Sequence, residues 1–553
     1  MSKKRNEQLL FIIFALCCLV VKLILMRDVK LQVIASAQAD DELMVHLAEQ
    51  LLEGHWLGNY NQFTLVKGCF FPFFLAVGKL LHIDYISLVQ ICYGLACYVF
   101  VKSIKPLTKS NMIHYILFLL LFFHPIMATN DVVQRVYRNS LTPIQVLLVL
   151  GGYIGAYTNS QNGVKVQIKW LAIAGVGLTS MWLSREDGIW IIPFALITSI
   201  FILKNSWKEK KAKIIFAVLI PFACLFVSVQ GVSFINRIQY KVYADTEINK
   251  SAFPDVMKSL YEIDMGEENI PYVSISRKKI EKVYEISPAM AEIQDILEPL
   301  LDAWSQNVGR EDSNKEAKEV ENGWFFWVLR DAVAAKGYYA IGATADEFYS
   351  RVTSEIQTAF AEGKLERQFT MPSALMPPLR EETLLQLFPK IAQAAEFVAS
   401  CDKLGLRNIQ AVGDGEDGIE RFETLTGRTA EYEAKGFDES RYELENCIMN
   451  RIADAWQKCS RAVAWIGRIC FLTLIALWIF RRLDNREKSL LLILAGLLGA
   501  LICLYGGVSY NELNCCVSIT ELYLCAAYPI SVIFWFMAIC TLGEYGGRFI
   551  KMP

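Results

Sequence analysis

The chain has 553 residues, 54% of them hydrophobic, and a formal net charge of −2. That length exceeds one ordinary domain and that apolar share exceeds the roughly 45–50% of soluble chains, so a single soluble domain is excluded and a polytopic membrane protein is expected. Charge is unevenly divided: residues 233–459 carry about 14 more acids than bases, and no basic patch interleaved with aromatics stands there, which argues against direct nucleic-acid binding.

In chain order, Lys3, Lys4 and Arg5 precede an apolar run over 9–26, long enough to cross a bilayer. Ala37-Gln38-Ala39 has the small-residue pattern of a signal-peptidase site, but Arg27, Asp28 and Lys30 separate it from the run, so the first span is expected to be retained. Three consecutive acids follow, Asp40, Asp41 and Glu42. Leu43, Leu47 and Leu51 then share one helical face and Glu42, His46, Glu49 and Glu53 the other, predicting an amphipathic helix along the outer membrane surface that ends at Gly54. A helix start explains one acid as a cap, not three. The segment "GHWLGNYNQFTLVKGCFFPFFLA" follows, with Trp56 and Tyr60 at belt positions. Its apolar run, 70–83, is short and interrupted by Lys79, and reads as an interfacial or re-entrant helix.

Nine further spans are expected near 85–101, 112–128, 141–157, 169–183, 189–203, 214–232, 462–480, 489–507 and 520–542, making ten. Placing "SKKR", "KSIKPLTK", "KNSWKEKKAK" and "RRLDNREK" in the cytoplasm puts both termini inside. It turns residues 27–84, the loops "TNDVVQRVYRNS", "SREDG" and "GGVSYNELNCC", and residues 233–459 outward. The spans hold few interior charges and no repeat is evident, which argues against an ion-coupled carrier. Within 233–459, "SPAMAEIQDILEPLLDAW", "NGWFFWVLRDAVAAKG", "TADEFYSRVTSEIQTAFAEGKL" and "EETLLQLFPKIAQAAEFVASC" predict helices, and "MPSALMPP" a loop. "DGEDG" reads as an acidic turn rather than a calcium loop, and Trp324, Phe325, Phe326 and Trp327 as core rather than a sugar platform. The fifteen cysteines form no framework; pairing of Cys401 with Cys447, or of Cys515 or Cys516, has no support in their spacing.

Arginines on an outer face run against the positive-inside bias, and Arg135, Arg138 and Arg185 therefore ask for an anionic partner. A lipid phosphate matches the guanidinium fork. Combined with Lys67 and with Asp40 or Asp41, they describe a site where a carboxylate activates an incoming hydroxyl while cations hold a departing phosphate, as in glycosyl transfer from a lipid-linked sugar. His55, Tyr60, Glu186 and Asp187 complete the candidate substrate-binding set.

The patterns "DDELMVHLAEQLLEGHWLGNYNQFTLVKGCFFPFFLAV", "RVYRNSLTP" and "SREDGIWIIP" resemble the GT-C superfamily of polyprenyl-phosphate-sugar-dependent glycosyltransferases, which includes protein O-mannosyltransferases and lipid A aminoarabinose transferases. The resemblance covers roughly the first 200 residues. It implies an all-α polytopic fold: a GT-C-like bundle of about ten transmembrane helices with juxtamembrane helices and a large, mainly helical extracytoplasmic domain. It also implies a catalytic or acceptor-orienting acid at Asp40 or Asp41, a polyprenyl-(di)phosphate-linked donor, an extracytoplasmic acceptor, and a multi-pass plasma-membrane location. The expected divisions are 1–232, 233–459 and 460–553. Two departures stand out: the long insertion before the last three spans, and the lack of a second outer-loop aspartate unless Asp131 serves. No cofactor is certain, although acids near a phosphate are compatible with a divalent cation. A non-enzymatic translocase or carrier of lipid-linked glycans is the alternative, and an anchored sensor or scaffold ranks below it.

Overall fold

The computed structural model describes residues 2–206, 211–266, 270–307, 310–370, 376–378, 381–407, 409–413, 415–432 and 447–550. Apart from one antiparallel pair of two-residue strands, β1 (Ile263–Asp264) against β2 (Glu366–Arg367), regular structure among them is helical. The first half contains α1 (Ser2–Leu25), α2 (Asp41–Leu52), α3 (Phe70–Leu80), α4 (Tyr85–Ile104), α5 (Asn111–Phe122), α6 (Thr142–Thr158), α7 (Val164–Trp182), α8 (Ile192–Ser206) and α9 (Lys211–Tyr240). Next come α10 (Ala252–Glu262), α11 (Arg277–Ile286), α12 (Pro288–Ala291), α13 (Gln294–Asn307), α14 (Asp312–Glu316), α15 (Asn322–Ala335), α16 (Gly342–Ala361), α17 (Glu381–Ser400) and α18 (Gly415–Thr426). The chain closes with α19 (Cys447–Ile479), α20 (Asn485–Asn514), α21 (Glu521–Leu524) and α22 (Ala527–Ile550).

Nine helical stretches among the described residues are long and apolar enough to cross a membrane. The tenth expected span is α7, whose 19 residues reach about 28 Å at 1.5 Å per residue. Lys165 and Lys169 dilute its hydropathy, but it packs between α6 and α9 like its neighbours. The α6–α7 contact depends on glycine: a Cβ on Gly152 would stand 2.5 Å from the Ala174 nitrogen, so only hydrogen lets the helices meet there. At α4 the start is set by Asp84, which accepts from the Ser87 amide at 3.0 Å. α9 runs on to Tyr240 and α19 starts as early as Cys447, so both outreach the spans expected from hydropathy. At 33 residues α19 is about 50 Å long, well beyond a bilayer core of about 30 Å.

The acidic region divides into two parts. Helices α10 to α16 enclose their own core around Phe253, Leu260, Leu297, Phe325, Leu329 and Val352. In contrast, α17 packs on α19 and α20, and α18 on α2 and α3, so this stretch belongs to the bundle. Helix α2 departs from expectation in one respect: its apolar residues Leu43, Met44, Leu47 and Ala48 are buried within the protein against α3 rather than turned to lipid. The 11-residue α3 is, as expected, too short to span. Cys401, Cys515 and Cys516 are free thiols. The Cys447 side chain, residue 414 and the side chains of 415–417 in "DGEDG", and the start of "MPSALMPP" lie outside the described residues, while the backbone from Gly415 on belongs to α18.

Candidate active site at the loop-rich end

Three consecutive acids find three different partners. Asp40 occupies the N-cap position of α2, yet its side chain makes no capping bond. Its carboxylate instead meets Lys67 Nζ and accepts from the Tyr137 hydroxyl at 2.8 Å. Asp41 is fully buried and takes a bidentate contact from Arg135, Nε to its two oxygens at 2.8 and 3.0 Å. Glu42 shares Arg421 of α18 with Glu49, at 3.3 and 2.6 Å. The acids thus tie α2 to the remainder of the first loop, to the loop before α6, and to α18. Asp40 differs from Asp41 in being 44% exposed.

Tyr137 is the hub. Its ring is faced by Lys67 Nζ at 5.0 Å, by the Arg135 guanidinium at 4.7 Å and by that of Arg138 at 5.5 Å, distances at which the π face attracts a cation. Lys67, only 5% exposed, also donates to its hydroxyl at 2.8 Å. The loop after α7 supplies the rest: Arg138 Nη1 donates to Glu186 at 2.6 Å and to the Ser184 carbonyl at 2.9 Å, and Arg185 grips Asp187 at 2.7 and 2.6 Å. Gly68 permits this convergence. A Cβ there would stand 2.0 Å from the Leu183 carbonyl oxygen, so any side chain would push Lys67 away from the Arg138–Glu186 pair. Phe70 locks the approach by donating its amide to the same carbonyl at 3.0 Å.

Electrostatically, the arginines that asked for an anion find one within the chain, each matched by a carboxylate. One donor is left over: Arg138 Nε is buried without a hydrogen bond, a costly state that an added anionic oxygen would relieve. Burial and the Arg138 charge hold the Lys67 ammonium well below the usual lysine range. At Arg135 burial opposes the charge, but the bond to Asp41 outweighs it and keeps the guanidinium protonated.

Beside this cluster Glu521, which opens α21, faces Asp131. Burial, reinforced by Asp131, raises the Glu521 carboxyl above its usual range. A folded-state pKa above the unfolded value of about 4.3 means that protonation favours the fold; this stabilisation is full below that value and is lost as pH rises through the raised one. Melting temperatures across that interval in detergent are expected to fall with rising pH, and Glu521→Gln is expected to flatten the slope. Among the described residues no three His, Cys, Asp or Glu side chains stand in metal-holding geometry.

Eight of the ten sequence candidates converge, namely Asp40, Asp41, Lys67, Arg135, Arg138, Arg185, Glu186 and Asp187; His55 and Tyr60 do not. His55 is exposed beside Glu53 at 3.3 Å. The Tyr60 hydroxyl is bound to Glu247, and its ring packs between Tyr240 and Tyr339, where it joins the first loop to the α10–α16 unit. Sequence reasoning missed Tyr137 and Glu521. For Tyr137 a signal existed, since "RVYR" brackets one aromatic with two cations.

No family model matches the chain, and no curated protein matches it. Solved structures similar to it include the archaeal oligosaccharyltransferase AglB from Archaeoglobus fulgidus in complex with an inhibitory peptide and a dolichol-phosphate. That match has 12% identity and a TM-score of 0.39, covering 97% of this chain and 51% of that one. ArnT from Cupriavidus metallidurans is also similar. Its apo state gives 10% identity and a TM-score of 0.32 over 97% of this chain and 78% of that one; bound to undecaprenyl phosphate the values are 12%, 0.30, 98% and 78%. The chain spans about half the length of AglB, and at TM-scores this low the similarity decides no activity.

Proposed function

We propose that this chain is a membrane glycosyltransferase that moves a sugar from a polyprenyl-(di)phosphate carrier to an acceptor on the extracytoplasmic side. The observation that carries the reading is Asp40: half-exposed, not used as a cap, and set among Lys67, Tyr137 and the flanking arginines. In the reaction, the acceptor hydroxyl gives its proton to Asp40 while its oxygen bonds to the anomeric carbon. The bond from that carbon to the phosphate oxygen breaks, and its electron pair leaves with the phosphate. Lys67, Arg138 and Arg185 stabilise the charge that develops on the phosphate, and the orphaned Arg138 Nε is a donor free for it.

A lipid-linked donor also needs an apolar berth. Between α6, α8 and α20 runs a cavity of about 260 Å³, lined by Ile154, Pro193, Phe194, Ile197, Gly496 and Gly499 among others, and Pro193 lies only six residues beyond Asp187. Its wall suits an isoprenoid chain and the loop above suits the phosphate. Placing the basic loops in the cytoplasm, with both termini, turns this end of the bundle outward. The test is reconstitution in vesicles with radiolabelled lipid-linked sugars extracted from host membranes and with envelope material as acceptor. Label is expected on the acceptor; a lipid that changes leaflet with no new glycosidic bond would establish the carrier alternative instead.

A further inference from the structure

A groove of about 780 Å³ lies between the first loop and the α10–α16 unit, a volume large enough for several sugar rings. Gln38, Gln62 and Phe63 form its first-loop wall, and Asp295 and Leu300 of α13 with Asp331 of α15 form the opposite wall. Gln38 is two residues from Asp40, which puts the end of the groove within about 7 Å of the candidate base along the chain. Phe63 is backed by Trp327 at 6.1 Å between ring centroids. Asp331 is joined across the groove to the Gln62 amide at 3.4 Å, and Asp295 is exposed, with Lys336 3.3 Å away on the rim.

We infer that this groove binds the acceptor and that the acceptor is a carbohydrate without anionic groups, neutral or amine-bearing; the inference rests on the glycosyltransferase reading above. Charge decides the class. Every cation of the candidate site gathers around Tyr137 and the loop after α7, whereas the described residues lining the groove contribute carboxylates and amides and no lysine or arginine, with Lys336 confined to the rim beside Asp295. Carboxylates accept from sugar hydroxyls or amines and repel phosphate or carboxylate. Phe63 on one wall and Leu300 on the other offer apolar surface for the C–H face of a ring. A peptide fits less well, because the groove presents no strand edge for main-chain pairing. Donor phosphate and acceptor are thereby sorted to two sides of Asp40 by charge alone.

The test uses the full chain in detergent micelles and three defined probes, read by saturation-transfer NMR titration: chitotriose, the glucosamine trimer, and chitotriose bearing a 6-phosphate. The first two are expected to bind at least about tenfold more tightly than the phosphorylated one, the effect of roughly one lost hydrogen bond plus repulsion. Asp331→Asn combined with Gln62→Ala is expected to weaken both by about tenfold, and Asp295→Lys to reverse the preference in favour of the phosphorylated trimer. Equal binding of all three probes, no binding at millimolar concentration, or tighter binding of a serine-containing peptide that the same substitutions weaken would overturn the inference. Wild-type transfer separates the two claims: trimer binding without any transfer refutes the glycosyltransferase reading, and transfer without groove binding refutes the groove.

Discussion

Asparagine at position 40 is expected to cut sugar transfer by about 10²–10⁴-fold, the usual contribution of a positioned general base, with little change in the amount of folded protein. Asn keeps an oxygen for the Tyr137 hydroxyl, which donates at 2.8 Å, and the half-exposed site admits water. What it removes is the ability to take a proton and the carboxylate beside Lys67, whose lowered pKa lets it shed its charge where Arg135 cannot. The measurement is transfer of label from lipid-linked sugar to acceptor in reconstituted vesicles, with the melting temperature of the same sample as control. Wild-type turnover in a stable Asp40→Asn variant would remove Asp40 from the chemistry.

Asp41→Asn is expected to fail differently, by about 3–5 kcal/mol of stability, because it strands the buried Arg135 charge. Asp41 has no exposed surface, and its carboxylate is consumed by the Arg135 fork. Pairing Asp41→Leu with Arg135→Met removes both charges and is expected to restore much of the loss, since a buried ion pair and a packed apolar pair are often close in free energy. Unfolding in detergent with denaturant gives the cycle. On the proposed reading the neighbouring acids separate into one that reacts and one that holds α2 against the loop before α6, a division the bare sequence "ADDEL" leaves open.

Much of this architecture was legible because it is local. Hydropathy located the spans, the 3.6-residue period located α2, and the shortness of the 70–83 run excluded it as a span. Helix ends beyond the apolar zone, as in α9 and α19, were not legible, since polar turns carry no membrane signal. The site was legible as residue types but not as pairs. Asp41 meets Arg135 across 94 positions and Asn139 meets the Leu522 carbonyl across 383, separations at which spacing says nothing. Arg138 and Arg185 looked free because Glu186 and Asp187 were counted as substrate groups rather than as their counter-ions. Tyr60 looked like a belt residue because the Glu247 and Arg330 that claim its surroundings come much later in the chain.

That last cluster has a consequence in time. Glu247 accepts from the Tyr60 hydroxyl and pairs with the fully buried Arg330 at 2.5 Å, and Arg330 also donates to the Gln62 carbonyl at 3.0 Å. The loop that carries Lys67 is therefore fastened by residues that do not exist when it is made. At about 5–20 residues per second, the 270 positions between Tyr60 and Arg330 take roughly 15–50 s to synthesise. On the topology expected from the basic loops, the first loop crosses the membrane early in that interval and waits without its clamp, and the candidate site is assembled only after the α10–α16 unit has followed.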